Sequence, residues 1–406
     1  MKIGFILPHS GKNSSGGVLT YSIAVLKLLL RSQEIKSIYL IHSPGQEEHI
    51  TNYFKNEKVI PIEFDRKKLS FRIFNKLSRC FYPNRRKNRL FKKISLKLNP
   101  YKRKFDALNL DVLHVPFQTS PIYGIKTPVI ITMHDVQELH FPEYFSSDIR
   151  MYRAIHYKKA IDESDHIIVS FNHVKQDLLK YFEINADKVT VCPITVAEDW
   201  FSKTNYTSFE QLKEKYTLPD MFILYPAATW QHKNHTNLIK AISILRIEGK
   251  DVFLVCTGGK TSFYKKIENE IMSLKLENNV KFMGTVPEED LIGLYHSAQL
   301  VVIPTLYEAG SGPLFEAMRY GVPVICSTIT SLPESIGNDE FIFNPSNPEE
   351  IADLIKKGCF GNDFRKRNIE NSKRRMEFYK NQNYIEPFID AYKKAIKAKE
   401  SGSSHN

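Results

Sequence analysis

The sequence has few cysteines and no long apolar run. Its five cysteines are far apart and odd in number, which excludes a disulfide framework and a Cys-x-x-Cys metal site and predicts reduced, buried thiols. No segment approaches the roughly eighteen uncharged apolar residues that span a bilayer. The apolar run Ile3–Leu7 is short and polar residues follow it, so it predicts a first strand and not a signal peptide. These absences favour a cytoplasmic protein.

Acidic residues are missing from one long segment. Between Arg66 and Lys104 there are sixteen Lys and Arg and no Asp or Glu, which more than accounts for the net charge of +12. Apolar residues recur among these cations at helical spacing, which predicts basic amphipathic helices broken near Pro83. Such a face binds anionic lipid with about 1 kcal/mol per cation, or it binds nucleic acid. We favour a membrane surface because no nucleic-acid motif is present; the alternative is a solvated charged face over a packed apolar one.

Strand-like and helix-like runs alternate along most of the chain. This alternation is typical of an α/β fold built from doubly wound parallel sheets. The strand pattern stops between Val196 and Tyr206, and 406 residues exceed what one core usually supports. The sequence therefore predicts an N-terminal domain over 1–199 with the basic insert at 66–104, a second domain over 206–370, and C-terminal helices over 371–399.

Two carboxylates lie close together in the second half of the chain. The apolar run Ala298–Pro304 predicts a buried strand, and Glu308 follows it on a loop of small residues. Pro313 is well placed to begin the helix that carries Glu316. Because a helix N-terminus binds phosphate, the segment predicts a diphosphate site with a carboxylate on each side. The alternative is that Glu308 is a solvated charge and Glu316 an ordinary residue near the helix dipole.

Glycines and a histidine follow two strands of the first half. Gly16 and Gly17 precede an amphipathic helix, where their backbone could approach a phosphate, although a plain glycine loop has the same pattern. His134 ends an apolar strand and is placed to donate to a sugar hydroxyl or to a leaving phosphate. The alternative for His134 is a structural role. Asp135 is expected to orient His134 or the loop.

A lysine stands at the start of a helix in the second half. Lys233 precedes Asn234, the predicted N-cap, so an ammonium group lies beside a helix N-terminus and suits a diphosphate. The alternative is an exposed lysine without a ligand. His232 and His235 are poorly suited to zinc because a cation lies between them, and the chain has no Asp-x-Asp motif. The sequence therefore predicts a site without a metal.

Taken in order, these motifs resemble those of family 4 retaining glycosyltransferases of the GT-B fold. The motifs that carry the resemblance are the Glu308-x7-Glu316 pair, Pro333-Glu334, Gly16-Gly17, His134-Asp135 and Lys233-Asn234. The chain departs from the family in two places. Ala309, Gly310 and Ser311 stand where Gly-Phe-Gly is usual, and no arginine lies between Met221 and Lys233.

The resemblance implies two Rossmann-like parallel-sheet domains that face a cleft, with the last helix crossing back to the N-terminal domain. It also implies roles for the residues. His134 and Glu308 would act on the donor sugar, and Glu316 would contact the ribose of the nucleotide. The other residues expected to bind the donor are Gly16, Gly17, Lys233, Gly310, Ser311, Gly312, Pro313 and Leu314.

The histidines around Lys233 and the segment after His134 resemble bacterial mannosyltransferases. The expected donor is therefore GDP-mannose, or else a UDP-hexose, with no cofactor and no metal. The expected acceptor is a hydroxyl of a glycan or lipid-linked molecule in surface polysaccharide synthesis, reached by an enzyme bound peripherally to the inner face of the cell membrane. Nucleic acid is not an expected partner. The alternatives are a GT-B sugar-phosphate synthase or epimerase, and a non-catalytic membrane adaptor.

Overall fold

The computed structural model describes residues 1–8, 17–46, 55–65, 67–70, 72–74, 76, 99, 101–122, 124–193 and 205–403. The chain divides into two compact units, one formed by 1–194 with 383–406 and the other by 195–382. The expected terminal segment is thus divided, because its first part belongs to the second unit and its last helix to the first.

The first unit contains a parallel sheet of seven described strands in the order β3-β2-β1-β4-β5-β6-β7. Strands such as Val129–Thr132 are buried along their whole length, as strands covered on both faces must be. The strands are β1 (Lys2–Ile6), β2 (Ser37–His42), β3 (Val59–Glu63), β4 (Val112–Val115), β5 (Val129–Thr132), β6 (His166–Val169) and β7 (Val189–Val191). The helices whose bounds are described are α1 (Gly17–Leu30), α2 (Lys102–Asp106), α3 (Gln137–His140), α4 (Ser147–Glu163) and α5 (Asn172–Tyr181).

The second unit contains a parallel sheet of six described strands in the order β10-β9-β8-β11-β12-β13. Its strands are β8 (Ile223–Pro226), β9 (Leu254–Thr257), β10 (Val280–Phe282), β11 (Leu300–Ile303), β12 (Val324–Ser327) and β13 (Ile342–Phe343). Its helices are α6 (Phe209–Tyr216), α7 (His235–Ile247), α8 (Tyr264–Ser273), α9 (Glu288–Ser297), α10 (Gly312–Arg319), α11 (Leu332–Ile336), α12 (Pro348–Phe360) and α13 (Asn362–Lys380). These sheets confirm the predicted α/β class.

The last helix, α14 (Ile385–Ser403), completes the core of the first unit. Its Phe388 and Tyr392 are fully buried in one cluster with Phe5. The Tyr392 hydroxyl lies 2.9 Å from Nδ1 of the buried His114, whose Nε2 lies 2.9 Å from the Thr132 hydroxyl. Apolar packing and this polar chain both hold α14 against the sheet, as the resemblance implied for the last helix.

Strand order determines where loops meet in each unit. In the first sheet β1 and β4 are neighbours, and in the second β8 and β11 are neighbours, although neither pair is consecutive in the chain. Ligands in doubly wound sheets bind at the carboxyl ends of strands where the order reverses. The loops after β8 and β11, which carry Lys233 and Glu308, therefore meet at such a point.

The basic insert is described only in part. Residues 67–70, 72–74, 76, 99 and 101–104 belong to the structure, and α2 begins near its end. The predicted break near Pro83 lies outside the described residues. Within the described ranges, no helix is both long enough and apolar enough to cross a bilayer. Four of the cysteines are described, and all four are free and buried, namely Cys192, Cys256, Cys326 and Cys359.

Candidate active site

The loop after β8 is tied to the loop after β11. Lys233 ends a short 3₁₀ turn, and the carbonyl of the preceding His232 accepts hydrogen bonds from the Leu306 amide at 2.7 Å and the Thr305 hydroxyl at 3.0 Å. The Tyr225 hydroxyl donates to the Lys233 carbonyl at 2.8 Å. These bonds fix the backbone on which the Lys233 side chain stands.

Asn234 is the N-cap of α7, as the sequence predicted, but its side chain does not bond to the first turn of the helix. The residue occupies the N-cap position in a left-handed conformation, with φ of 59°. Its side-chain amide instead donates to the carbonyls of Pro304 and Pro345, each at 2.8 Å. Asparagine tolerates a positive φ and carries two amide hydrogens, which explains why it suits this position. It connects α7 to the loops after β11 and β13.

Lys233 and Glu308 form an ion pair. Lys233 Nζ donates to Glu308 Oε2 at 2.6 Å, and the two side chains are 19% and 13% exposed. The Glu308 amide donates to the Thr330 hydroxyl at 3.0 Å, and the Ser331 hydroxyl donates to the Glu308 carbonyl at 2.9 Å. Two predicted site residues, 75 positions apart in the chain, are thus brought into contact.

The helix α10 begins as the sequence predicted. Ser311 is its N-cap, and the Ser311 hydroxyl accepts from the Leu314 amide at 3.3 Å. Pro313 has no N–H, and the Leu314 amide already has a partner. An anion at this N-terminus would therefore be bound chiefly by the amides of Ser311 and Gly312. Gly310 lies exposed on the loop before them.

Glu316 lies in the middle of α10 and is held by a tyrosine. The hydroxyl of Tyr295, on α9, donates to Glu316 Oε2 at 2.5 Å. Burial raises the pKa of Glu316, and the bond from Tyr295 opposes this effect. Glu316 is therefore a half-buried, hydrogen-bonded carboxylate on α10, and its contact with a ribose stays a prediction.

His134 lies in the first unit, directly after β5. Its Nε2 lies 3.0 Å from the Pro116 carbonyl, and its ring meets the Tyr21 ring edge to face at 4.6 Å. Burial lowers the pKa of His134 to about 4, so the imidazole is neutral at pH 7. Since a carbonyl can only accept, Nε2 carries the proton and Nδ1 is an acceptor. The ring is therefore poised to accept a hydrogen bond from a hydroxyl.

Asp135 pairs with an arginine on α4. Arg153 Nη1 lies 3.5 Å from Asp135 Oδ1 and 2.7 Å from Oε2 of the buried Glu138. The Arg153 guanidinium also lies over the Phe145 ring at 4.7 Å. Asp135 thus orients the loop after β5, one of the two roles that the sequence suggested for it.

Two protein families match this chain. The family described as "Glycosyl transferases group 1" matches residues 208–375, and the family described as "Glycosyltransferase Family 4" matches residues 59–199. Together these matches span most of both units. The chain is a family 4 glycosyltransferase.

This glycosyltransferase is similar in sequence to bacterial mannosyltransferases. It is 24% identical to the O-antigen chain mannosyltransferase B of Escherichia coli over 65% of this chain and 70% of that protein. It is 30% identical to the serotype-specific mannosyltransferase WbdA of Escherichia coli over 60% of this chain. That alignment spans only 29% of WbdA, so this chain corresponds to a minor part of the larger protein.

Solved structures share the fold of this glycosyltransferase. A glycosyltransferase from Rickettsia africae superimposes with a TM-score of 0.67 and 21% identity, covering 98% of each chain. HepE of Anabaena, in complex with UDP and glucose, superimposes with a TM-score of 0.63 and 16% identity over the whole of both chains. These likenesses confirm the GT-B fold.

Gly17 is the first residue of α1, and a Cβ at this position would meet no atom within 4 Å. No described residue would therefore clash with a larger side chain at position 17. Gly16 lies outside the described residues. Their expected contact with a phosphate stays a prediction.

His232 and His235 have different surroundings in this glycosyltransferase. His235 is buried among the rings of Tyr225 and Phe282, at 4.7 and 5.6 Å. Burial lowers the pKa of His232 to about 4 and that of His235 to about 3. Across the described part of the chain, no three His, Cys, Asp or Glu residues are grouped as ligands for a metal ion.

Four residues that support the predicted site were not found from the sequence. Thr330 and Ser331 hold the backbone of Glu308, Tyr295 holds Glu316, and Arg153 holds Asp135. Thr330 has a φ of 52°, a conformation that a β-branched residue rarely adopts. None of the four belongs to a motif, because each acts from an element far away in the chain.

Proposed function

We propose that this glycosyltransferase moves a hexose, with mannose as the first choice, from a nucleotide diphosphate sugar to a hydroxyl of a glycan or lipid-linked acceptor in bacterial surface polysaccharide synthesis. The observation that carries the proposal is the 2.6 Å contact between Lys233 and Glu308. It places an ammonium and a carboxylate together in the same unit as Glu316 and the N-terminus of α10. A diphosphate, a sugar and a ribose each find a chemically matched group there.

The roles of these residues follow from their charges. Lys233 and the amides at the start of α10 would neutralise the diphosphate, which takes hydrogen bonds and positive charge readily. Glu308 would accept from sugar hydroxyls, and Glu316 from the ribose. Gly16 and Gly17 would let the backbone approach a phosphate. Because the chain lacks an Asp-x-Asp motif, we propose that Lys233 and backbone amides act in place of a divalent ion.

His134 would contact the donor sugar. With Nε2 bonded to the Pro116 carbonyl, the neutral ring would accept from a sugar hydroxyl through Nδ1. This differs from donation to the leaving phosphate, which needs a proton that the ring does not offer at pH 7. His134 would therefore position the sugar.

The anomeric configuration would be retained. Neither sequence motif nor site geometry singles out a covalent nucleophile among the residues placed in the site. We propose a short-lived oxocarbenium ion, with departure of the nucleotide and attack of the acceptor on the same face of the sugar. Product analysis by nuclear magnetic resonance of the anomeric proton distinguishes retention from inversion.

The donor can be identified by binding and transfer together. The names of the related O-antigen mannosyltransferases support mannose as the transferred sugar, and our first choice of donor is GDP-mannose. The UDP complex of the structurally similar HepE supports a UDP-hexose as the second choice. Calorimetry of the purified protein with GDP and with UDP should show binding of one and weak or no binding of the other. The matching sugars are then tested for transfer and hydrolysis. Failure of both nucleotides to bind would refute the proposal.

We further propose a peripheral location on the inner face of the cell membrane, through the basic insert at 66–104. The support is its sixteen cations without one acidic residue. Anionic vesicles should sediment the protein, and salt should weaken this binding by screening. Replacing Arg85, Arg86, Lys87 and Arg89 with Ser should weaken it further and leave nucleotide affinity unchanged. Equal binding to neutral and anionic vesicles would refute the membrane proposal and favour a soluble acceptor.

A further inference from the structure

Tyr295 is a buried residue on α9 whose hydroxyl has a charged partner. The side chain is 1% exposed and donates to Glu316 Oε2 at 2.5 Å. Hydrogen bonds from a hydroxyl to a carboxylate are about 2.5–2.7 Å long and roughly twice as strong as neutral ones. Apolar packing alone would be served as well by phenylalanine. The hydroxyl therefore has a task that concerns Glu316.

The two oxygens of Glu316 have different surroundings. Oε2 faces Tyr295, whereas Oε1 lies beside Gly312 in the first turn of α10, 3.8 Å from the position that a Cβ on Gly312 would take. Oε2 is thus held by Tyr295, and Oε1 lies at the N-terminal end of α10, the end of a helix that binds anions. A carboxylate held by one oxygen cannot rotate freely about its last side-chain torsion.

We propose that Tyr295 is a positioning residue that fixes the Glu316 carboxylate so that Oε1 accepts from a ribose hydroxyl of the donor nucleotide. The inference rests on the proposed function, in which Glu316 contacts the ribose. Tyr295 does not touch the nucleotide. It reduces the freedom that Glu316 would otherwise lose on binding.

The charge state of Glu316 gives the hydroxyl a second effect. Burial raises the pKa of Glu316, the Tyr295 bond lowers it, and the nearby Glu288 on α9 raises it. Burial raises the pKa of Tyr320, at the end of α10, and the nearby Glu316 carboxylate raises it further. Loss of the Tyr295 hydroxyl removes a donor to the ionised form, so the pKa of Glu316 rises. Protonated Glu316 is a poorer acceptor for the ribose.

The test compares Tyr295→Phe with the wild type, using whichever of GDP and UDP binds the wild type. The 2′,3′-dideoxy form of that diphosphate serves as the second probe. We expect wild type to bind the dideoxy form about 10–100-fold more weakly, because it lacks the hydroxyls that Glu316 accepts from. Tyr295→Phe should bind the ribose form about 3–30-fold more weakly, with the ratio between the two probes reduced by a similar factor.

Two variants separate positioning from simple loss of packing. In a Glu316→Gln background, Tyr295→Phe should have little further effect on affinity, since both act through one carboxylate. Tyr392→Phe is the matched control, because it removes a buried hydroxyl with a 2.9 Å partner in the first unit. It should leave the probe ratio unchanged. A pH series adds an independent measurement, in which affinity of Tyr295→Phe begins to fall at higher pH than that of wild type as the solution is acidified.

The possible outcomes are distinct. If wild type binds both probes equally, the contact between Glu316 and the ribose fails, and with it this part of the proposed function. If wild type discriminates and Tyr295→Phe discriminates as well as wild type, the positioning role of Tyr295 is refuted while the proposed function stands. A reduced ratio in Tyr295→Phe, with Tyr392→Phe unchanged, supports the inference.

Discussion

Replacing Glu308 with glutamine should separate nucleotide binding from sugar transfer. In the free protein Lys233 Nζ lies 2.6 Å from Glu308 Oε2, and the side chains are 19% and 13% exposed. A hydrogen bond to a charged group contributes about 1.5–3 kcal/mol. A diphosphate must therefore compete with Glu308 for the lysine.

Glu308→Gln should slow sugar transfer without weakening nucleotide binding. Glu308→Gln keeps the size of the side chain but weakens its hold on Lys233. The nucleoside diphosphate should bind as tightly as to wild type, or up to about tenfold tighter, because a gain of about 1.4 kcal/mol is tenfold in affinity. Transfer should fall by about two orders of magnitude, because the sugar loses the carboxylate that positions it.

The assay measures nucleotide affinity by calorimetry, using whichever of GDP and UDP binds the wild type. It also measures initial rates of transfer and the Tm. Glu340→Gln is the matched control, since it breaks an exposed ion pair with Arg367 in the same unit. That control should change neither affinity nor rate. Tenfold weaker nucleotide binding by Glu308→Gln, or transfer at the wild-type rate, would refute the assigned roles of Lys233 and Glu308.

Four other perturbations have defined outcomes. Glu316→Ala should weaken nucleotide binding by about 10–100-fold by calorimetry, since a bond to a charged group is lost; an unchanged affinity contradicts the ribose contact. His134→Ala should lower turnover by about 100-fold without unfolding the protein, because the sugar loses a hydrogen bond that positions it; a loss explained by a lower Tm alone would make the residue structural. Asn234→Ala should lower the free energy of unfolding by about 1–3 kcal/mol in denaturant titration, because the buried Pro304 carbonyl loses its donor while Asn237 still donates to the Pro345 carbonyl. Acidification from pH 7 to 5 should lower Tm, because burial lowers the pKa of His114 and of His235 to about 3 in the folded protein. In the unfolded chain these histidines bind protons below their ordinary pKa near 6.5, so stability decreases as the pH falls. A constant Tm would contradict two neutral, buried histidines.

The fold was predictable because each strand and helix leaves a local pattern. The buried run at β11, the proline at the start of α10 and the alternation of elements all depend on residues close together in the chain. The predicted two-sheet α/β class is confirmed. The end of the N-terminal domain was harder to locate, since the residues around 196–206 have no strong pattern and the structure ends the first part of that unit at residue 194.

The candidate site was predictable only at the level of motifs. Sequence alone placed Lys233, Glu308 and Glu316 on loops and near helix starts. It did not show that Lys233 and Glu308 pair, because 75 positions separate them and strand order brings them together. It placed Asn234 at the N-cap of α7 but did not show the bonds of its side chain, since the acceptors Pro304 and Pro345 lie in distant loops. The roles of these residues stay predictions until the variants are measured.

The placement of α14 in the first unit has a consequence for synthesis of the protein. Phe388 and Tyr392 are fully buried beside Phe5, yet they are translated only after all of residues 195–382. At about 5–20 residues per second, the ribosome needs roughly 10–40 s to make that intervening unit. Throughout this interval the nascent first sheet exposes the apolar face that α14 will cover. The second unit can therefore finish folding before the first, and the emerging chain offers chaperones a hydrophobic surface until α14 arrives.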